Sequence, residues 1–301
     1  MAGRAAVAGP AALVLAALFW GSSATFIKLA LDTWQPMTLL TVQLLGANLV
    51  LWTVLLARGY HRPPQLRRLA LIGLLEPGLA YALITVGLQH TSAANAAMIM
   101  GLESCLVVVL AAIFLRERLR TRGVLGLLLA VVGVLVLEGA HPDAPVDVGD
   151  LLVLGGIVSA AAYVLVARGI ADRVDAVTMT AHQFAFGLAV ILPFGVAEVV
   201  RGGPGMVTAH SAGGWLIALA IGVFGFGASF LLYNFALATV RAGRAGIILN
   251  LLPVFGVLSA VAVLGERIGG WQWCGAALIV ASIFVFPDGE PAAEPDGEPD
   301  G

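Results

Sequence analysis

The sequence predicts an all-α polytopic membrane protein with ten transmembrane helices, arranged as two inverted five-helix repeats. Three observations lead to this fold class: the composition, the spacing of the apolar runs, and an internal repeat. Of the 301 residues, 60% are hydrophobic and only 11% are charged, whereas about a quarter of the residues in a soluble globular chain are charged. This apolar excess does not fit into the core of one water-facing domain, which indicates that a lipid bilayer surrounds the protein.

The apolar runs predict the number of helices. They are separated by short charged or Gly/Pro-containing breaks, and many approach the ~20 residues with which a helix crosses a bilayer. Because lipid offers the backbone no hydrogen-bond partner, segments this apolar should be helical. The predicted spans 1 to 10 cover residues 11–31, 36–57, 69–88, 92–114, 123–140, 149–168, 177–199, 213–238, 245–265 and 270–286.

The basic residues predict the orientation. With an even number of spans and an inside N-terminus, thirteen Lys and Arg residues fall on the inside and three on the outside. Basic residues favour the cytoplasmic side, so we expect both termini in the cytoplasm and the chain in a cell membrane. Residues 287–301 combine Pro, Gly and acids and are predicted to form a disordered acidic cytoplasmic tail. Fifteen of the sixteen basic residues are Arg in an Ala/Gly-rich chain, which favours a bacterial source with a GC-rich genome.

An internal repeat divides the chain. Residues 73–133 align without a gap onto residues 222–282, at an offset of 149. The predicted domains are a first repeat, 1–143, and a second repeat, 144–286. Because each repeat holds five spans, the second enters the membrane upside down, as in many secondary transporters. The informative pairs are Gly73 with Gly222, Gly78 with Gly227, Gly126 with Gly275, and Glu117-Arg118 with Glu266-Arg267.

Span 1 and the ends of spans 4 and 9 carry a family resemblance. The segment FWGSSATFIKLAL (19–31), together with the endings LRERL and LGERI, resembles the EamA-type transporters of the drug/metabolite transporter superfamily. The resemblance implies two five-helix repeats, a central cavity open alternately to each side, and export of small metabolites such as amino acids. It also implies that cavity-lining groups come from spans 1, 3, 4, 6, 8 and 9. Two positions depart from the pattern: Ser104 aligns with Pro253, and Arg116 aligns with Gly265. The resemblance therefore leaves open whether span 4 bends like span 9.

Glu103 interrupts the apolar run MIMGLESCLVVVLAA, residues 98–112. At ~1.5 Å per residue it lies ~12–17 Å below the outer end of span 4, near the bilayer midplane. A charged acid there costs ~2.5–3.5 kcal/mol on insertion scales, so we expect Glu103 to face a cavity. The functional hypothesis is a proton carrier or an acid that binds a substrate amine. The structural alternative is a neutral carboxyl group hydrogen-bonded to a neighbouring helix.

Other polar residues at membrane depth form a second set of candidates. Glu76 precedes Pro77-Gly78, which permits a kink, so its side chain is predicted to line the inner part of a cavity; a snorkelling or helix-bonded acid is the alternative. His182, which forms a polar pair with Gln183 in span 7, is either a proton relay or a structural histidine. Small residues at helix interfaces and tyrosines near helix ends have ordinary structural explanations as well. The remaining candidates for contact with substrate are Trp20, Ser23, Tyr81, Tyr163, Asn234 and Asn250.

These patterns predict a secondary transporter that exports small amino-acid-like or drug-like metabolites, driven by proton exchange or by the substrate gradient. An importer or an uncoupled facilitator is the alternative within transport. An intramembrane enzyme or lipid-handling protein is the alternative of another class, although no nucleophile elbow or HExxH motif supports it. The absence of a GxxxxGK[ST] loop argues against an ATP motor.

The expected partners are a small-molecule substrate and the lipid bilayer. Cys105 and Cys274 lie inside apolar runs and do not form a disulfide framework or a metal motif, so we expect no cofactor and no metal. We also expect no nucleic-acid partner. A monomer and a homodimer both remain open.

Overall fold

The computed structural model describes residues 2–88, 90, 99–100, 102–115, 121–138, 147–203, 205–265 and 269–285, and within these ranges every regular element is a helix. The predicted all-α membrane fold is confirmed. Among the described residues, seven helices are long and apolar enough to cross a membrane, and three shorter apolar helices occupy the positions of spans 4, 5 and 10. The unbroken spans are span 1 (Ala2–Leu31), span 2 (Pro36–Ala57), span 5 (Thr121–Glu138), span 6 (Val148–Arg168), span 7 (Ala176–Gly202) and span 10 (Gly270–Val285).

Spans 3 and 8 each contain a wide helical turn in the middle. Span 3 consists of Leu66–Gly73, a π-helical segment Leu74–Leu79, and Ala80–Leu88. Glu76 has an extended backbone there, with φ −151° and ψ 127°, directly before Pro77. Span 8 has the same design in Ala212–Ala220, Ile221–Ala228 and Ser229–Leu237, without a proline. Pro77 predicted the break in span 3, whereas the sequence pattern did not predict the break in span 8.

Side chains satisfy the backbone carbonyls that these breaks release. In span 3, the Ser159 hydroxyl of span 6 donates to the Leu75 carbonyl (2.8 Å), and the Gln183 amide of span 7 donates to the Glu76 carbonyl (2.9 Å). In span 8, the Ser229 hydroxyl donates to the Phe224 carbonyl (3.1 Å). These bonds allow irregular backbone to exist inside a bilayer, where an unpaired carbonyl is costly.

Spans 4 and 9 are interrupted at equivalent places. Span 9 consists of Ala242–Leu249 and Leu251–Leu264, and the Asn250 amide between them donates to the Ile247 carbonyl (3.2 Å). In span 4 the helix Glu103–Phe114 follows a turn in which the Leu102 amide donates to the Ile99 carbonyl (3.0 Å). Both bonds span three residues, and at the offset of 149 the two tight turns lie one residue apart. Span 4 therefore has such a turn although Ser104 stands where span 9 has Pro253.

The two halves of the sequence are interleaved in the structure. Span 2 packs along span 7, span 5 along span 10, and the broken spans 3 and 8 cross spans 7 and 2, respectively. Between spans 2 and 7 the Asn48 amide donates to the Phe184 carbonyl (3.1 Å), and the Trp52 indole donates to the Ala181 carbonyl (3.2 Å). The main apolar core includes residues from both halves.

Two aligned glycines make the crossings possible. A Cβ atom at Gly73 would collide with the Gln183 carbonyl oxygen, and a Cβ atom at Gly222 would collide with the Gln43 carbonyl oxygen. The glycines therefore let the broken spans touch the backbone of spans 7 and 2, as small residues do at helix interfaces in membranes.

An acid from another helix caps the start of span 2. The Glu198 carboxylate of span 7 accepts hydrogen bonds from the Met37 amide (3.2 Å), the Thr38 amide (2.7 Å) and the Thr38 hydroxyl (2.9 Å). Pro36 holds the first helical position, where the absence of an amide hydrogen costs nothing. Glu198 thus provides the acceptors that the first turn of the helix lacks.

Some predicted features lie outside the described residues. These are the pairs Glu117-Arg118 and Glu266-Arg267 and the acidic tail 287–301. Gly265, the last described residue before the second pair, has a φ of 67° and ends span 9 in the left-handed conformation. This conformation favours glycine.

We predict that Gly222→Ala destabilises the protein, because the added methyl group forces spans 8 and 2 apart. Overpacking of this kind costs about 1–3 kcal/mol. The matched control is Gly227→Ala in the same π-helical segment, where the nearest atom would be the Ala47 Cβ at 3.4 Å. Thermal unfolding in detergent, followed by tryptophan fluorescence, should show a lower midpoint for Gly222→Ala only. Equal midpoints for the two variants would contradict the close crossing.

We predict opposite effects for two glutamines in corresponding spans. Gln183→Leu removes the donor to the Glu76 carbonyl and should lower stability by about 1 kcal/mol, as lost interhelical bonds do in membranes. Gln43→Leu should leave stability unchanged or raise it, because the Gln43 amide nitrogen is buried without a partner among the described residues. The same unfolding measurement compares them. If Gln183→Leu lowers stability no more than Gln43→Leu does, the hydrogen bond from Gln183 to the Glu76 carbonyl does not stabilise the protein.

Candidate functional site

An aromatic cluster lies at the centre of the helices. Phe230 of span 8 contacts Trp20 of span 1 (ring centroids 4.5 Å apart), Phe184 of span 7 (5.1 Å), Tyr163 of span 6 (5.9 Å) and Tyr81 of span 3 (6.5 Å). The Phe230 side chain is fully buried. Because five spans from both halves meet at this ring, Phe230 marks the place where the halves converge.

Two acids interact electrostatically with Tyr81 of this cluster. Glu76, in the break of span 3, is 4% exposed, and Glu103 begins the described helix of span 4 and is partly buried. Their carboxyl groups are close enough to interact electrostatically. Both acids also interact with the hydroxyl groups of Tyr81 and Tyr233. The two acids that the sequence singled out therefore belong to one site.

A chain of side-chain hydrogen bonds joins four spans beneath the acids. The Tyr163 hydroxyl donates to Asn234 Oδ1 (2.7 Å), and Asn234 Nδ2 donates to Gln183 Oε1 (2.8 Å) and to Thr180 Oγ1 (3.0 Å). Gln183 in turn donates to the Glu76 carbonyl (2.9 Å). Spans 6, 7 and 8 thereby hold the broken backbone at Glu76 in a defined position.

Several buried side-chain atoms in spans 4, 8 and 9 have no hydrogen-bond partner among the described residues. They are the hydroxyl oxygens of Ser104 and Tyr233 and the side-chain nitrogen Nδ2 of Asn250, whose backbone amide is bonded as described above. The Tyr81 hydroxyl lies near the Trp20 indole but outside normal hydrogen-bond geometry. Buried polar groups are normally paired, so these atoms are suited to bind a polar ligand or water.

Two predicted site residues have their polar groups engaged elsewhere. The His182 ring contacts the Thr178 carbonyl (2.8 Å) and the Tyr60 hydroxyl (3.5 Å) and packs against Trp52. The Ser23 hydroxyl donates to the Trp20 carbonyl one turn earlier (2.6 Å). His182 is thus part of a separate cluster with Tyr60 and Trp52, and the Ser23 hydroxyl is used within its own helix.

Sequence reasoning missed two residues at the centre of the site and underrated a third. Phe230 and Tyr233 were not among the candidates, and Gln183 was noted only as a neighbour of His182. The segment SFLLYNF (229–235) carried a usable signal, because Phe230, Tyr233 and Asn234 lie three and four residues apart and share one helix face. Within the described residues, no group of three or more His, Cys, Asp or Glu side chains could hold a metal ion.

Comparison with known proteins agrees with this architecture. The model of the EamA-like transporter family matches the chain twice, at residues 7–138 and 147–286. An uncharacterized transporter of Archaeoglobus fulgidus is 24% identical over 91% of this chain and 96% of its own length. The uncharacterized transporter YetK of Bacillus subtilis is 26% identical over 69% of this chain and 66% of its own length. The inner membrane transporter YedA of Escherichia coli, also uncharacterized, is 23% identical over 88% of this chain and 86% of its own length.

One solved crystal structure has the same fold. It superposes with a TM-score of 0.77 at 21% identity and covers 92% of this chain and 95% of its own chain. The family match extends over both halves of the chain, and its two segments separate between spans 5 and 6. The chain is therefore a multi-pass membrane transporter that belongs to the EamA-like transporter family.

Proposed function

We propose that this transporter exports small, amine-bearing metabolites of the amino-acid or drug-like kind, in exchange for protons. The supporting observation is the pair of acids, Glu76 and Glu103, which interact at the meeting point of two broken spans. Two ionised carboxylates that interact electrostatically repel each other. A proton or a substrate ammonium group removes the repulsion, so the two cations compete for one site.

The surroundings of the acids suit an organic amine. Trp20, Tyr81 and Phe230 form one aromatic cluster, and its Tyr81 hydroxyl interacts electrostatically with both acids. Aromatic faces attract ammonium groups and also accommodate apolar side chains. The buried hydroxyl groups of Ser104 and Tyr233 add hydrogen-bonding capacity for a polar substituent.

The broken spans supply the mobile parts of the proposed mechanism. We take residues 1–143 and 144–286 as the two repeats, which rock against each other around the acid pair. The aligned crossings at Gly73 and Gly222 act as the pivots, because backbone slides over backbone there without interlocking side chains. Glu103 carries a proton in one orientation and the substrate amine in the other.

Import and uncoupled diffusion remain the alternatives within transport. The same acid pair would bind an amine in either direction, and a facilitator would need no proton exchange. For an enzyme, an acid, a base and a nucleophile would have to converge. The described contacts of His182 lead instead to Tyr60 and the backbone of span 7. We therefore propose flux without product formation.

We predict that Glu103→Gln abolishes proton-driven efflux. Purified protein in liposomes with an imposed pH gradient is loaded with a pool of amino acids and related metabolites, and efflux is followed by mass spectrometry. The wild type should release an amine-bearing subset faster when the gradient is applied. Efflux through Glu103→Gln should be at least tenfold slower than through the wild type under the gradient, since an acid–base group contributes about 10²–10⁴-fold to proton transfer.

The matched control for this experiment is Asp172→Asn, an acid that is 64% exposed and pairs with Arg168 at 3.2 Å. It should transport like the wild type. If the wild type and Glu103→Gln show equal flux that does not depend on the gradient, the protein is an uncoupled facilitator. Uptake in place of efflux would establish an importer, and a chemically altered metabolite would support an enzyme.

We also predict that both termini face the cytoplasm. A green fluorescent protein fused to the C-terminus should fluoresce in a bacterial host, and alkaline phosphatase fused there should be inactive. As a control, alkaline phosphatase fused after Asp147, directly before span 6, should be active because that loop is predicted to lie outside. The reverse pattern would overturn the predicted orientation.

A further inference from the structure

A cavity lies at one end of spans 3 and 7, and its lining does not include the acid pair. Its volume is about 910 Å³, within the usual range of ligand pockets. The charge distribution predicts that this end faces the cytoplasm. We call it the basic cavity; it is lined by Arg62, Pro63, Pro64, Gln65, Leu66, Arg67, Arg68, Ala70, Arg173 and Phe186.

The charge of the basic cavity is one-sided. Four arginines and no acid occur among its described lining residues. The acids next to Arg173 in sequence are occupied, because Asp172 pairs with Arg168 (3.2 Å) and Asp175 accepts from the Thr178 amide (3.0 Å). Four guanidinium groups around one cavity repel one another, so an anion between them is stabilised. Their paired N–H donors match the oxygens of a phosphate group.

The remaining walls favour an amphiphilic anion over a soluble one. Leu66 and Ala70 of span 3 and Phe186 of span 7 provide apolar surface. The carboxamide oxygen of Gln65 is buried without a partner among the described residues and can accept a hydrogen bond from a headgroup hydroxyl. Arginines beside apolar walls at the end of two spans fit a phosphate group attached to acyl chains, and basic pockets between transmembrane helices bind anionic lipids in this way.

We propose that the basic cavity binds the phosphodiester headgroup of an anionic phospholipid such as phosphatidylglycerol. The lipid contacts Phe186, and a Cβ atom at Gly73 would collide with the Phe186 side chain. The bound headgroup therefore bridges spans 3 and 7 next to one of the two close crossings. Its binding does not depend on the substrate or the direction of transport.

The test compares lipid retention by the full-length protein in detergent, measured by native mass spectrometry. The wild type is titrated with phosphatidylglycerol and with phosphatidylcholine of the same acyl chains. The wild type should retain phosphatidylglycerol preferentially. The double variant Arg67→Gln/Arg173→Gln should bind it roughly thirty-fold more weakly, because each Arg near an anionic surface contributes a factor of about five.

Three controls make the result decisive. Arg58→Gln/Arg122→Gln removes two exposed arginines that do not line the cavity and should bind like the wild type. Arg67→Lys/Arg173→Lys keeps the charge and should bind with intermediate strength. Inorganic phosphate in excess should not displace the lipid.

Three outcomes would overturn the proposal. These are equal retention of the two lipids by the wild type, unchanged phosphatidylglycerol binding by Arg67→Gln/Arg173→Gln, and complete displacement of the lipid by phosphate. The last would identify a site for soluble anions.

Discussion

The structure depends on one constraint: backbone that leaves the regular helix inside a bilayer must find hydrogen-bond partners within the protein. Span 3 opens at Glu76, and its released carbonyls are bonded by Ser159 and Gln183 from the other half of the chain. Because water is absent at this depth, these bonds are a condition for the break. The same contacts hold the backbone at Glu76, whose carboxyl group interacts electrostatically with Glu103, so the backbone support and the site depend on the same bonds.

The correspondence between the halves explains how such breaks occur in pairs. Spans 3 and 8 open at aligned positions, and each is crossed by a span of the other half at a glycine, Gly73 or Gly222. Spans 4 and 9 contain tight turns one residue apart in the alignment, although Ser104 stands where span 9 has Pro253. The turn in span 4 therefore does not require a proline.

Charge divides the molecule into two different sites. At the centre, two acids lie among tyrosines and tryptophan and suit a cation. At the end of spans 3 and 7, four arginines surround a cavity with apolar walls and suit an anion. A single span connects the two, because span 3 carries Arg67 and Arg68 in its first turn and Glu76 in its break.

The sequence alone located the apolar spans and the break at Pro77, and it singled out Glu76 and Glu103 as candidates. Apolar runs and acids at membrane depth have large transfer free energies, so their positions are visible in the sequence. The sequence did not reveal that Tyr163 and Asn234, 71 residues apart, share a hydrogen bond, that Phe230 joins five spans, or that His182 points toward Tyr60. These spans are apolar on nearly every face, so they lack the periodic pattern that shows which side is inward. Only tertiary packing decided which polar residues face the centre.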